Sequence, residues 1–326
     1  MARSPKKEQL YKAQKNKNDE FYTQYRDICD EVLKYADQLR GKRILCPCDW
    51  DESYNEEIVY KEENHIIETA MFRSNGSIKR IDIEKSKEKF EKDLNLVKCN
   101  FVKYLVAKAD DFGIKSISAC GYDPTTDNGI RFQAVDYSQY DLIITNPPFS
   151  QFREFIDTMF KNNMEFLVIG PLTAISYKEI FPYIKENKLW LGYNSKLSGF
   201  IQPDGSIMKM GNVLWYTNLD VSYRHNDMLL QENYTSEKYP YYKEYGGLKP
   251  IYISKTKDIP FDYDGCMAVP ISFLEKYNPE QFDIIAMWAG NEPYLESGKR
   301  TFARMIIKNK NVGEEIDWSK LGESKQ

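Results

Sequence analysis

An α/β fold is predicted, with a mainly parallel sheet covered by helices on both faces and a smaller, loop-rich region after it. Three observations predict it. Short runs rich in β-branched residues alternate with segments of helical spacing from about residue 24 to residue 219. Several of those runs end in a polar residue, the pattern of strands whose carboxyl ends face a ligand crevice. After Asp220 the alternation fades into Gly246-Gly247, many tyrosines and several prolines.

In chain order, a basic arm over residues 1–18 leads into Asp19-Glu20-Phe21-Tyr22-Thr23. Ile28, Val32, Tyr35 and Leu39 recur at helical spacing, which predicts a helix over 24–39 closed by Gly41. Residues 43–49 read as a first core strand ending in Asp49. Residues 50–83 show no clear period and read as an irregular insertion. Phe90, Leu94, Val97, Phe101, Leu105 and Val106 share one side of a helix predicted over 84–112, which Gly113 ends. Strands are then expected at 117–120, 131–135 and 141–145, leading into Asp123, Asp136 and Asn146. A helix over 151–160, a strand at 166–169, a helix at 177–186 and strands at 189–193 and 213–217 complete the alternation. The break falls at Asp220, dividing the chain into 1–219 and 220–326. No internal repeat is present.

With 326 residues and 42% hydrophobic content, the chain can bury a substantial core. The mean hydropathy is −0.61. No apolar run is long enough to span a bilayer, and the opening Met-Ala-Arg-Ser-Pro-Lys-Lys has no apolar stretch behind its charges, so a cytoplasmic protein is expected. Cys29, Cys46, Cys48, Cys99, Cys120 and Cys266 are scattered, several within apolar runs, as reduced thiols are. Cys46-Pro47-Cys48 has no second cysteine pair at finger spacing, and His65 and His225 lie far apart, so no metal site is expected. The same scarcity of imidazole argues against Ser-His-Asp or Cys-His chemistry.

The formal net charge of −4 does not advertise a nucleic-acid binder, but the charges are segregated. Arg3, Lys6, Lys7, Lys12, Lys15 and Lys17 crowd the first 17 residues, and Lys299, Arg300, Arg304, Lys308 and Lys310 follow one another with no acid between. Residues 51–68 are strongly acidic. Local basic stretches of this kind can meet a phosphate backbone even on an acidic protein, or form ordinary solvated faces. The 24 tyrosines leave room for base stacking and equally for routine packing.

The most informative feature is Asn146-Pro147-Pro148-Phe149 at the end of the apolar run Leu142-Ile143-Ile144-Thr145. The prolines forbid continuation of the strand, which leaves Asn146 at its carboxyl end. The tetrad offers an amide oxygen, a backbone carbonyl and an aromatic face, with no strong base. Two acceptors can hold the N–H bonds of an aromatic amine out of the ring plane and return its lone pair to nitrogen. A stacked ring adds roughly 1–3 kcal/mol per base. If an activated methyl lies in line, transfer needs positioning more than acid–base chemistry. A cytosine amine, an RNA adenine or a protein glutamine meets the same requirement as a DNA adenine.

Asp19-Glu20-Phe21-Tyr22-Thr23-Gln24-Tyr25, the run from Asn146 to Glu154 and Leu214-Trp215-Tyr216-Thr217-Asn218-Leu219-Asp220 together resemble the EcoRI-type adenine-specific DNA methyltransferases. The similarity continues through Lys255-Thr256-Lys257-Asp258-Ile259-Pro260 and Val269-Pro270-Ile271-Ser272-Phe273-Leu274, and covers most of the chain apart from about 50 to 115. The resemblance implies a Rossmann-like catalytic domain over 1–219, a target-recognition region over 220–326, and transfer of a methyl group from S-adenosyl-L-methionine to the adenine amino group of a base flipped from duplex DNA. It implies that Asn146, Pro147, Pro148 and Phe149 are catalytic. Phe21, Tyr22 and Thr23 match the motif that lines the methionine end of the cofactor, Asp123 the position for the ribose hydroxyls and Asp136 that for the cofactor's adenine amine. The expected partners are double-stranded DNA and, genetically, a cognate restriction endonuclease, with the protein monomeric in a bacterial or phage-infected cell. Lys6, Lys7, Lys12, Lys299, Arg300 and Arg304 are the expected DNA contacts.

One departure stands out. Where many enzymes using this cofactor have a glycine-rich turn after the first strand, this chain has Cys46-Pro47-Cys48-Asp49-Trp50-Asp51. Asp49 is the expected strand-end contact there. A non-catalytic DNA binder on a decayed fold would also tolerate that turn, whereas a dinucleotide dehydrogenase lacks its Gly-x-Gly-x-x-Gly.

Overall fold

A computed structural model of the chain describes residues 22–50, 59–63, 78–93, 99–123, 127–202, 205–290 and 294–313. The chain divides into two compact units, Met1–Ala174 with Gly192–Leu219, and Ile175–Leu191 with Asp220–Gln326.

In the first unit the strands are β1 (Tyr22–Thr23), β2 (Arg43–Cys46), β3 (Val59–Glu63), β4 (Ile78–Ile81), β5 (Ser116–Ala119), β6 (Tyr122–Asp123), β7 (Asn128–Gly129), β8 (Leu142–Thr145), β9 (Glu165–Pro171), β10 (Phe200–Ile201), β11 (Ile207–Met208) and β12 (Val213–Thr217). The helices are α1 (Tyr25–Val32), α2 (Ile83–Lys92), α3 (Asn100–Ala107), α4 (Ala109–Phe112) and α5 (Phe152–Lys161). The main sheet runs β12-β9-β8-β2-β5-β4-β3. Its centre is parallel, with Leu45 opposite Ile143 and Ser118, and Ile144 opposite Leu167. β12 is antiparallel to β9, and β4 is antiparallel to β5 and to β3. All residues of β5 and β8 are buried, as strands covered on both faces must be.

Two neighbours on β12 show that cover directly. Trp215 meets the edge of Phe101 from α3 at 5.9 Å, and Tyr216 meets Phe152 from α5 at 5.1 Å. Successive strand residues point to opposite faces, so α3 and α5 lie on opposite sides of the sheet. Gly170 of β9 makes room for α5, since a Cβ there would fall 2.3 Å from the Phe152 ring.

Several expected elements change shape. The helix expected over 24–39 is α-helical through Val32 and tightens to a 3-10 helix over Leu33–Leu39, before Gly41 at φ +72°. That expected over 84–112 divides into α2, α3 and α4, with Gly113 at φ +62° as its left-handed end. Leu94 and Val97 lie outside the described residues. The run 131–135 is not a strand. Phe132–Ala134 forms a 3-10 turn, because the edge of β5 that it would need is taken by β4, with Lys79 opposite Ala119. Thus part of the region 50–83, read as irregular from its sequence, supplies two sheet strands.

The second unit carries a four-stranded sheet within the region expected to be loop-rich. Its strands are β13 (Ile251–Tyr252), β14 (Met267–Pro270), β15 (Phe282–Trp288) and β16 (Arg304–Asn309), in the order β13-β14-β16-β15. β13 and β14 are parallel, and the other pairs are antiparallel with a bulge between Ile284 and Ala286. Tyr242, Ala268, Trp288, Leu295 and Ile306 form one of its apolar clusters. The helix α6 (Phe181–Lys185) is shorter than the expected 177–186, since Pro182 has no N–H to donate and fits only the first turn. The strand expected at 189–193 is confined to Trp190–Leu191. Among the described residues no helix is long and apolar enough to cross a membrane, and no group of three or more His, Cys, Asp or Glu side chains is placed to hold a metal ion.

Candidate active site

The site is assembled where β2 and β8 end side by side. Pro147 and Pro148 stop β8, and a 3-10 turn over Phe149–Gln151 leads straight into α5, with Gln151 N–H donating to the Pro148 carbonyl at 2.9 Å. Asn146 sits half-buried at the strand's carboxyl end, as its sequence context predicted. On the neighbouring strand the chain leaves β2 through Cys46-Pro47-Cys48 and presents Asp49. The hydroxyl of Thr145 donates to Asp49 Oδ2 at 2.5 Å. The Cys99 thiol and the Asn146 backbone N–H also donate to this carboxylate. Burial pushes Asp49 up to about 7, against the pull of those three donors.

A glycine stands opposite the first turn, just past the end of the adjacent strand β5. Asp49 N–H and Trp50 N–H both donate to the Cys120 carbonyl at 3.1 Å, which draws the two backbones together. A Cβ on Gly121 would lie 2.8 Å from the Trp50 carbonyl oxygen, so only glycine fits there.

The N-terminal motif reaches the same place through a second small sheet. Thr23 of β1 pairs with Phe200 of β10, and the Thr23 carbonyl accepts from Asn100 Nδ2 at 2.8 Å. Asn100 opens α3 immediately after Cys99, the residue that reaches Asp49. Phe200 is wholly buried and presents its face to the Phe149 edge, or the reverse, at 6.1 Å and 82°. Thr23 Oγ1 is buried with no hydrogen-bond partner among the described residues. Asp49, Thr23, Asn146 and Phe149 therefore belong to one connected arrangement, joined by Cys99, Asn100, Thr145 and Phe200.

Asp123 lies half-buried in β6, opposite Asn128 of β7, on the short hairpin that follows β5. Asp136 does not end a strand. It caps the 3-10 turn Tyr137–Gln139 by accepting Ser138 N–H at 3.0 Å. Its segment is tied to the Phe149–Gln151 turn through Gln133 Nε2 donating to Gln151 Oε1 at 3.3 Å, and to α5 through Phe132 against Phe155 at 5.0 Å.

The sequence reading overlooked Asp27 and Glu31. Glu31 is fully buried and accepts from Tyr35 Oη and Tyr193 N–H on Oε1, both at 2.8 Å, and from Asn194 N–H at 2.7 Å and Nδ2 at 2.8 Å on Oε2. Asp27 accepts from Ser198 N–H and Oγ, both at 2.9 Å on Oδ2. The two acids hold the 193–198 segment that delivers Phe200. Their signal was present, since four-residue spacing sets both on one helix face beside Ile28 and Val32, an apolar stripe where acids are costly.

Of the other expected contacts, Phe21, Lys6, Lys7 and Lys12 lie outside the described residues, and Tyr22 occupies β1 opposite Ile201. Lys299 and Arg300 are exposed in the second unit. Arg304 is not part of an open basic surface. Strand alternation in β16 turns it inward, 7% exposed, with its guanidinium 5.2 Å from the Tyr252 ring centre. Lys308 and Lys310 pair with Asp264 at 3.2 Å and Asp283 at 3.8 Å.

The family model described as "Adenine-specific methyltransferase EcoRI" matches residues 9–322. The chain is 36% identical to the type II methyltransferase M.EcoRI of Escherichia coli, over 96% of this chain and 99% of that one. It is 30% identical to the type II methyltransferase M.MgeORF184P of Mycoplasma genitalium, over 92% of this chain and 98% of that one. With M.MpnI of Mycoplasma pneumoniae the identity is 29%, over 92% and 97%. No solved structure matches. Since the family model spans nearly the whole sequence, the chain belongs to the EcoRI-type adenine-specific methyltransferase family.

Proposed function

We propose that the protein methylates the N6 amino group of adenine in duplex DNA, using S-adenosyl-L-methionine and a base turned out of the helix. The observation that carries this reading is the Asn146-Pro147-Pro148-Phe149 corner at the carboxyl end of β8, joined to Asp49 and Thr23. The family match and the type II methyltransferase relatives support it. The first unit, with its parallel central strands, is read as a Rossmann-like catalytic domain, and residues 220–326 as the target-recognition region. The protein acts as a monomer, with a cognate restriction endonuclease as genetic partner.

The residues present fit the cofactor. S-adenosyl-L-methionine, when bound, supplies an electrophilic sulfonium methyl. Thr23 Oγ1, a buried hydroxyl without a partner among the described residues, is suited to donate to the amino-acid carboxylate. Phe21 and Tyr22 line the same end. Asp123 accepts from the ribose hydroxyls, Asp136 from the adenine amine and Asp49 faces the charged end, where an ionised carboxylate complements a cation.

Asn146 Oδ1 and the Pro147 carbonyl accept the two N–H bonds of the target amine, restoring its lone pair. Phe149 stacks on the base, and the proton leaves to water after transfer. Extrusion of the base costs a few kcal/mol, which the stack and the two hydrogen bonds offset. DNA from cells expressing the wild type or Asn146→Ala, digested to nucleosides and read by mass spectrometry, tests this. N6-methyladenine should accumulate with the wild type and be lost with the variant. Full methylation by Asn146→Ala, or no mark from the wild type, would refute the reading.

A further inference from the structure

Phe302 is 86% exposed, more than any other large apolar side chain among the described residues. It is held out from a firm base. The preceding residue, Thr301, shares a hydrogen bond of 2.8 Å with the hydroxyl of the buried Tyr242, and Arg304 turns inward against Tyr252. Lys299 and Arg300 lie exposed just before it, and the chain has no acid from 297 to 312. The nearest preceding acid, Glu296, is paired with Lys249 at 2.7 Å. Arg304 has a buried Nε without a hydrogen-bond partner among the described residues, and its Nη1 and Nη2 reach the Ala303 carbonyl and the Tyr252 hydroxyl, each at 3.4 Å, rather than a carboxylate. Among the described residues no carboxylate pairs with Lys299, Arg300 or Arg304, and Arg300 Nη2 donates to the Gly290 carbonyl at 2.6 Å, so the strip keeps its positive charge there.

We infer that residues 299–304 form a duplex-DNA contact in which Phe302 inserts between two base steps while Lys299 and Arg300 lie on the flanking phosphates. This rests on the reading of DNA as substrate and adds how the second unit engages it. An aromatic wedge set among cations partly unstacks a step and kinks the helix. The cations hold the backbone without reading sequence. A ring held between two anchors enters with little ordering left to lose, unlike one on a loose loop.

The test uses the full-length protein and a synthetic duplex bearing the motif that the wild type methylates in an expressing host. 2-Aminopurine replaces one base at a time outside the target adenine. Wild type should brighten the probe several-fold at one step, and Phe302→Ala should abolish that signal. Because no phosphate contact is lost, the slope of log affinity against log salt should not change in Phe302→Ala, and Phe302→Trp should restore the signal. Lys299→Ala and Arg300→Ala should each lower that slope by about 1 and keep the signal. Undiminished brightening by Phe302→Ala overturns the wedge, as does binding of Phe302 to anionic phospholipid vesicles with no effect of its substitution on the duplex. If the wild type methylates no duplex, the DNA reading falls and the wedge with it. If it does methylate and only the fluorescence result fails, the wedge alone falls.

Discussion

Thr145, the last residue of β8, and Asp49, three residues past the end of β2, are tied by a hydroxyl-to-carboxylate hydrogen bond of 2.5 Å. The bond fixes the corner after β8 against the turn after β2, so the group proposed to hold the target amine and the group proposed to face the cofactor move as one. It also leaves Asp49 enclosed, with its pKa pushed up to about 7 by desolvation.

That raised value has a definite sign. Between the unfolded value of 3.8 and about 7 the folded protein keeps a proton that the unfolded chain has released, so this group's contribution to stability falls as pH rises. The slope within that window is about 1.4 kcal/mol per pH unit. Asp49→Asn should match the wild type in urea unfolding near pH 4, gain on it up to about pH 7 and hold a constant lead above. Cofactor affinity should tighten from pH 6 to pH 8 in the wild type and stay flat in Asp49→Asn, as read by calorimetry.

Thr23→Val separates a ligand contact from a structural one. The hydroxyl has no partner among the described residues, so its loss should leave the apo melting temperature unchanged or slightly higher. A lost hydrogen bond to a charged group weakens binding by about 1.5–3 kcal/mol, or roughly 10–100-fold in cofactor affinity. A drop in stability with unchanged affinity would contradict the assignment.

Glu31→Ala should be severe. Removing this carboxylate leaves the donors on buried Tyr35 and half-buried Tyr193 and Asn194 without an acceptor, at roughly 1–3 kcal/mol each where water cannot enter. A loss of about 3 kcal/mol or more is expected in denaturant unfolding. In the fraction that folds, turnover should fall as well, because the segment carrying Phe200 is no longer held.

Phe149 is half-buried, so Phe149→Ala should cost little stability. Loss of one base stack at roughly 1–3 kcal/mol predicts a drop of about 5- to 150-fold in kcat/KM with DNA and cofactor affinity nearly unchanged. Phe149→Trp should retain most activity, since any broad aromatic face can stack.

Much of the site was legible because its signals are local. Leu142-Ile143-Ile144-Thr145 followed by two prolines can only be a buried strand with an abrupt end, and β8 is that strand. Gly113 adopts the left-handed conformation that its position after an apolar helical run suggests. Misreadings arose where a distant segment decides. Residues 131–135 have strand-like composition but no free edge beside β5. Arg304 sits in a basic stretch, yet the pleat of β16 turns it inward. Gly121 is unremarkable until the Trp50 carbonyl lies against it.

By itself the sequence determined the alternation of strands and helices, the stop after β8 and the amide, carbonyl and aromatic groups that Asn146-Pro147-Pro148-Phe149 carries, since periodicity, proline and side-chain type act over a few neighbouring residues. Tertiary structure alone decided that β4 takes the edge of β5, that Thr23 pairs with Phe200 beside Phe149, and that Asp49 becomes a reluctant acid. Edge pairing and desolvation are set by which remote residues arrive to displace water, and no local pattern carries that information.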